Sequence, residues 1–514
     1  MAPAQPAPAA ASTHLTGGPL VISGLLLAVA NFLVVLDTTI ANVSVPNIAG
    51  GLAVSPDQGV WVITSYAVAE AISVPLTGWL AKRFGAVRVF VSAMIGFGIC
   101  SLLCGLAPSL GVLVLFRVMQ GLFGGPLMPL SQTLLLRVFP PKLASAATGL
   151  WAVTSLLAPI LGPILGGVLC DSLGWQSIFY VNVPIALVCA GLVWSLLRSQ
   201  ETPTAKTSID VVGLGLLALW VGALQIMLDL GEDRDWFQSP LIVGLGLTAL
   251  LGFAVFLIWE LTERDPIVDL KVFRHRGFSA GVATLSLGFG AFFGINVLTP
   301  LWLQTNMGYT ASWAGYVAAM IGVSAVVSAP VAASLAGKID PRRLVFLGLA
   351  WIALTTVLRS QATSDMTFFQ ISRLLLLQGF GMPMFFLPLL GLVLASVTPS
   401  ETANAAGLMS FCRTMSGAVA TSLVTTVWSN NATRNHAELS GALHGAQATM
   451  DHLAGAGMAL GQARGVIEGI VEGQSVLLAT NQVLGALAVL FVVAAATIWL
   501  APKPSRAADM TSAH

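Results

Sequence analysis

The chain has 514 residues, of which 56% are hydrophobic and 9% charged, with a mean hydropathy of +0.87 and a formal net charge of +1. This composition excludes a soluble globular domain, and the near-zero charge excludes a nucleic-acid partner. A hydrocarbon core about 30 Å thick takes about 20 apolar residues per helix. Runs of that length recur along nearly the whole chain and are continuously apolar, without the alternation of a transmembrane β-barrel. The expected fold class is an all-α polytopic membrane protein.

In chain order, the first 18 residues, MAPAQPAPAAASTHLTGG, are rich in Pro and Ala with no basic residue, and read as a disordered cytoplasmic lead with no cleaved signal peptide. Apolar runs then predict spans at 20–46, 58–81, 87–107, 110–136, 144–169, 176–197, 209–230 and 240–261. Six more follow at 278–304, 312–337, 343–361, 367–396, 402–428 and 481–501, fourteen in all. Basic residues cluster in alternate loops, as in AKRFGAVR (81–88), Arg137 with Lys142, Arg198 with Lys206, RDPIVDLKVFRHR (264–276), GKIDPRR (337–343) and KPSR (503–506). The positive-inside rule places these loops, and both termini, in the cytoplasm. The other side carries the acidic GEDRDW (231–236) and an Ala-, Gly- and Gln-rich segment, 429–478, which is too polar to span and reads as a periplasmic loop.

The stretch 120–150 matches 378–408 at a constant offset of 258 residues, pairing Gln120 with Gln378, Gly121 with Gly379 and Gly149 with Gly407. The chain is therefore expected to hold two parallel six-helix repeats, the architecture of a secondary transporter with its substrate site at their interface. An N-terminal bundle at 19–200 is followed by two inserted spans and a cytoplasmic linker at 201–270. The second bundle takes five helices from 271–428 and its last from 479–501, after the 429–478 loop, and a cytoplasmic tail closes the chain at 502–514.

An ionisable side chain in the bilayer is costly and marks a functional site by default. Five are expected well inside spans: Asp37, Glu70, Arg117, Arg373 and Arg413. At 1.5 Å of rise per residue, Asp37 and Arg117 fall at matching depth about 10–14 Å from one face, with Glu70 about 18 Å down. One layer could hold all three, and a carboxylate beside an arginine in such a layer is the chemistry of a proton coupler. The alternative is a fixed ion pair tying two helices together. Glu70 reads equally as a coupling group or as an anionic site for cationic substrates. Arg373, Arg413, Asn31, Gln120, Asn296, Gln304 and Gln378 are candidates to line a substrate cavity or to act as interhelical glue.

The local motifs then point to a family. GWLAKRFGAVR (78–88), RVMQG (117–121), LGPILGG (161–167) and LDTTIANVSVP (36–46) resemble signatures of the major facilitator superfamily, in its drug/proton antiporter branch with fourteen spans. WVITSYAVAEAISVPLTGWLAKR (61–83) is most similar to EmrB-type multidrug exporters. The resemblance covers about 20–500. It implies a major facilitator fold of two six-helix bundles plus two additional central helices, and proton-driven efflux of hydrophobic or amphiphilic drugs. It also implies the inner membrane of a Gram-negative bacterium, an EmrA-like periplasmic adaptor and a TolC-like outer-membrane channel. Pro159, Gly162, Pro163, Gly166 and Gly167 would form the gating motif that limits leakage in antiporters, or simply pack helices. Gly78, Arg83, Gly85 and Arg88 would form the cytoplasmic loop motif, although its usual Asp is here Lys82.

No phosphate-binding loop motif is present, so a gradient, with the proton as coupling ion, is the expected energy source and neither an enzyme activity nor a cofactor is implied. His436, His444 and His452 recur every eight residues, too loosely to assign a metal site. The five cysteines read as small apolar residues. Export of an endogenous amphiphile (siderophore, lipid or antibiotic) is the alternative within the transporter class. A non-transporting scaffold or sensor acting through 429–478 is the alternative outside it.

Overall fold

The computed structural model describes residues 17–503 except 55, 60, 141–142, 206–208, 233, 265, 337, 399–400, 443–452 and 454–457. Nearly all of the expected N-terminal lead and of the C-terminal tail, and part of the 429–478 segment, lie outside the described residues. Among the described residues every regular element is helical. In chain order these are α1 (Gly18–Gly51), α2 (Pro56–Gly59), α3 (Trp61–Ser73), α4 (Thr77–Phe84), α5 (Ala86–Gly105), α6 (Leu110–Gly124), α7 (Leu127–Val138), α8 (Ala144–Leu173), α9 (Ser177–Tyr180) and α10 (Asn182–Leu197). The inserted pair is α11 (Val211–Leu230) and α12 (Pro240–Thr262). The second half comprises α13 (Arg276–Thr305), α14 (Ala311–Ala336), α15 (Pro341–Arg359), α16 (Phe368–Gly379), α17 (Gly381–Ala395), α18 (Thr402–Ala442) and α19 (Leu460–Thr497).

Among the described residues, eleven helical segments are long and apolar enough to cross a membrane. The predicted spans 58–81, 144–169 and 402–428 are also helical but are not among the eleven. They include the elements that bring the halves together: α8 packs on α14 and α17, and α18 packs on α4 and α7. Two have visible reasons for missing the length or apolarity of a simple span. The first is split, because α3 gives way to a 3-10 turn at Val74–Leu76 containing Pro75, whose ring removes a backbone donor. The stretch in α18 carries Thr402, Asn404, Ser410, Arg413, Thr414 and Ser416 where a lipid-facing helix would carry Leu.

The internal repeat is visible in the packing. A Cβ at Gly121 would lie 2.9 Å from the Ala69 side chain and 3.0 Å from Glu70 N, so only glycine lets α6 approach α3 this closely. Gly379, its counterpart, packs on the Ile321 backbone and Ser324 of α14, the equivalent helix of the second half. With no hydrophobic force between helices in lipid, such backbone approach is what holds a bundle together.

The inserted helices brace the seam between the halves. Trp220 of α11 stacks edge-on against Phe411 of α18 at 5.9 Å, and Ser422 Oγ donates to Leu228 O at 2.9 Å. On α12, Leu250, Leu251 and Ile258 are each more than 60% exposed, as a lipid-facing surface requires.

The 429–478 segment is more helical than a loop. α18 runs 41 residues and α19 runs 38, so each is about 60 Å long against about 30 Å of hydrocarbon. The two helices pair along this length: His436 Nε2 meets Glu468 at 3.0 Å and Glu472 at 3.8 Å, and Asn435 Nδ2 donates to Gln482, at the start of the predicted last span, at 3.4 Å. His444 and His452 lie outside the described residues.

Candidate transport site

Asp37 and Arg117 meet inside the first bundle, and neither has any exposed surface. Arg117 Nη1 donates to Asp37 Oδ2 at 2.6 Å and to Gln120 Oε1 at 2.8 Å, while its Nε donates to Val62 O at 3.0 Å. The other carboxylate oxygen accepts from Asn182 Nδ2 at 2.6 Å and Gln120 Nε2 at 3.1 Å. Tyr66 lies under the guanidinium, 4.2 Å from ring centre to Cζ. Four helices thus converge on one carboxylate: α1 bears Asp37, α6 bears Arg117 and Gln120, α10 bears Asn182, and α3 supplies the Val62 carbonyl and Tyr66. Gln120, expected as a cavity residue, belongs to this cluster. Asn182 gave no sequence signal, being one amide in an apolar run.

Glu70 does not touch that pair. It is 8% exposed on α3, and the charged group acting on it most strongly is Arg413 of the second half, ahead of Asp37 and Arg117. Arg413 bonds the Met128 sulfur and lies over the rings of Trp151 (5.7 Å) and Phe289 (5.5 Å). Phe386 stacks between those rings, 6.2 Å from Trp151 and 4.8 Å from Phe289. Both halves therefore contribute to an aromatic, sulfur-bearing enclosure around one cation, whose charge is felt at Glu70. Gln132, one turn from Met128, and Ser410, one turn from Arg413, are buried there with side-chain polar atoms lacking partners. The surround is apolar with a few convergent polar groups, a composition that small-molecule sites share in general.

The other predicted residues divide. Asn31 Nδ2 donates to Trp151 O (3.2 Å), Thr154 Oγ1 (3.1 Å) and Ser155 Oγ (2.7 Å), tying α1 to α8. Asn296 donates to Phe292 O on its own helix at 2.9 Å. Gln304 is exposed and bonds Pro300 O at 3.2 Å, and Arg373, expected deep in a span, is exposed on α16. Arg373 stands only five residues after Phe368, so its long side chain can reach the polar interface. Gln378 is fully buried and accepts from Arg359 Nη1 at 2.7 Å. Arg359, at 5% exposure, was missed because the predicted span ended at 361 and put it in the last turn.

In the gating motif, α8 runs unbroken through Pro159 and Pro163, whose rings lie outside the described side chains. A Cβ at Gly162 would lie 2.7 Å from Thr39 Cβ, and one at Gly166 would lie 3.1 Å from Ile40 O, so both glycines seat α8 on α1. Gly167 faces open space.

In the cytoplasmic loop motif, Gly78 packs on the Asn404 backbone at the start of α18, and Arg83 lies over Trp79 at 5.9 Å. Gly85 has φ +95°, a conformation that suits glycine. The carboxylate missing at Lys82 arrives from elsewhere in the chain. Glu201 accepts from the backbone N–H groups of Val87 (2.9 Å) and Arg88 (3.0 Å), occupying the N-terminus of α5, and lies 3.9 Å from the Arg88 guanidinium. Thr202 Oγ1 accepts from Ala86 N, and Ala205 N donates to Lys82 O, each at 2.8 Å. Beside this strap opens a cavity of about 800 Å3, with Lys82, Arg137, Arg264 and Lys271 facing Asp269 and Glu401.

Comparison with known proteins places this arrangement. The family model described as Major Facilitator Superfamily matches residues 27–421. The chain is 43% identical over 494 residues to the fatty acid resistance protein FarB of Neisseria gonorrhoeae, covering 95% of this chain and 97% of that one. It is 42% identical over 495 residues to the multidrug export protein EmrB of Escherichia coli, with the same coverage. The fold matches a bacterial homologue of the lysosomal transporter Spinster at a TM-score of 0.55 and 15% identity, covering 96% of this chain and all of that one. It also matches the human organic anion transporter MFSD10 at 0.57 and 13%, covering 92% of this chain and 99% of that one. The chain is therefore a secondary transporter, not an enzyme, and belongs to the EmrB-type exporters of the major facilitator superfamily.

Proposed function

We propose that this protein exports hydrophobic or amphiphilic drugs across the inner membrane of a Gram-negative bacterium in exchange for protons, with both termini in the cytoplasm. The observation that carries the reading is the wholly enclosed Asp37–Arg117 pair, a carboxylate with four helices gathered on it. Protonation would remove one charge of the pair and turn an accepting oxygen into a donor. Arg117, Gln120 and Asn182 would then have to find new partners, and because they sit on α6 and α10 against α1, the proton is converted into helix repacking. The enclosure around Arg413, built from both halves, is where a substrate would sense that repacking. The names of the relatives, for multidrug export and fatty acid resistance, support amphiphilic substrates.

The decisive experiment is drug movement in proteoliposomes under an imposed pH gradient. Wild type should respond to the gradient, and Asp37→Asn should insert but not respond. Wild-type movement indifferent to the gradient would sink the reading. The long extensions of α18 and α19 are the surface on which an EmrA-like adaptor, leading to a TolC-like channel, would dock. Adaptor pull-down undiminished by deletion of 443–457 together with the flanking helical extensions would overturn that assignment.

A further inference from the structure

The polar layer of the second bundle is built like that of the first, but with its carboxylate missing. At the 258-residue offset Gln378 stands where Gln120 does, Leu375 replaces Arg117, and Arg359 occupies the place of Ser101. The guanidinium has thus moved from one helix to its neighbour, yet it still donates to the glutamine, Nη1 to Gln378 Oε1 at 2.7 Å. The position corresponding to Asp37 is Ile295, and α13 brings only Thr299, whose hydroxyl accepts from Arg359 Nη2 at 2.6 Å. Both partners of this buried cation are neutral.

Donors are in surplus here. A guanidinium has five N–H groups, and these two bonds use two of them. The Thr299 hydroxyl proton is already given to Ile295 O at 2.7 Å, and that of Thr480 to Val476 O at 2.8 Å. Trp302 is 4% exposed, and its indole N–H has no acceptor among the described residues. Arg359 and Trp302 line the same cavity, about 20 Å3 and otherwise walled by groups such as Leu298, Met366, Leu375 and Leu484. That volume admits one water-sized occupant.

We propose that this cavity is a binding site for a single monovalent anion, a halide or the carboxylate end of an amphiphile, which takes the place that Asp37 holds in the first bundle. A buried, uncompensated charge in the bilayer is costly, and an anion held by the free guanidinium N–H groups and the Trp302 N–H neutralises it. Water fits the space but leaves the charge unbalanced and contributes acceptors too weak to replace a counterion.

The test uses full-length protein in lipid nanodiscs, prepared in gluconate at fixed ionic strength and titrated separately with chloride, bromide and octanoate while the unfolding temperature is followed. A saturable rise is expected with halide, lost in Arg359→Gln. In Trp302→Phe, which removes only the N–H donor, half-saturation should move about tenfold or more towards weaker binding. A rise with octanoate but not halide, with the same dependence on these variants, assigns the site to an amphiphile's carboxylate and equally supports the proposal. Absence of any saturable rise, or a rise unchanged in Trp302→Phe, overturns it, and that variant carries the test if Arg359→Gln does not fold. No transport is measured, so failure here leaves the export reading standing, and failure of export leaves this site standing.

Discussion

In the first bundle a buried guanidinium and a buried carboxylate come as a pair, whereas in the equivalent layer of the second the guanidinium stands alone with Gln378 and Thr299. The same contrast recurs at the cytoplasmic ends. α15 begins with its own acid, Asp340, which accepts from Arg342 N at 3.0 Å, while α5 borrows Glu201 from the linker after α10. Duplication preserved the close helix contacts at Gly121 and Gly379, which set the shape, and let the charges drift. A charge that has lost its partner by duplication must find one elsewhere, in another segment of the chain or in a ligand.

The largest expected effect comes from splitting the pair. Arg117→Gln leaves Asp37 buried without its counterion and should cost about 3–5 kcal/mol, read as loss of folded yield and unfolding temperature. Adding Asp37→Asn should restore most of that stability without restoring gradient-driven transport. Recovery of transport in the double variant would show the pair to be structural only.

Next, Gly121→Val and Gly379→Val should each destabilise by about 1–3 kcal/mol through overpacking. Comparable losses in unfolding temperature would confirm that the halves share their packing; a silent Gly379→Val would break the comparison.

Smaller still, Glu201→Gln should cost about 1 kcal/mol by weakening the anionic cap on α5. Hydrogen exchange should rise at Val87 and Arg88 and stay unchanged at Arg342. The Arg88 ion pair itself contributes little, because Arg88 is largely exposed.

The smallest effect is with pH. Hydrogen bonding from the Arg342 side chain holds the Asp340 carboxyl below the ordinary carboxylate range. Its contribution is therefore complete above the unfolded value near 4 and fades as pH falls through the lower folded value. The unfolding temperature of wild type should fall slightly more steeply below pH 4 than that of Asp340→Asn.

Much of this protein was legible in the amino-acid order. Continuous apolar runs dictate membrane helices, the 258-residue offset reveals the repeat, and a carboxylate at Asp37 in a run of Leu and Val demands a partner, which depth alone identified as Arg117. These are one-dimensional facts, fixed by rise per residue and the cost of charge in hydrocarbon. Which way a side chain points around its helix is not. Rotation exposed Arg373 and Gln304, enclosed Arg359, buried Glu70 away from any ion pair with Arg117, and brought Asn182 onto Asp37 from 145 residues away. Likewise Lys82 looked like a lost acid until the chain folded back and laid Glu201 on the end of α5. Local sequence sets depth and helicity, but only the packing of helices against one another decides which polar groups meet.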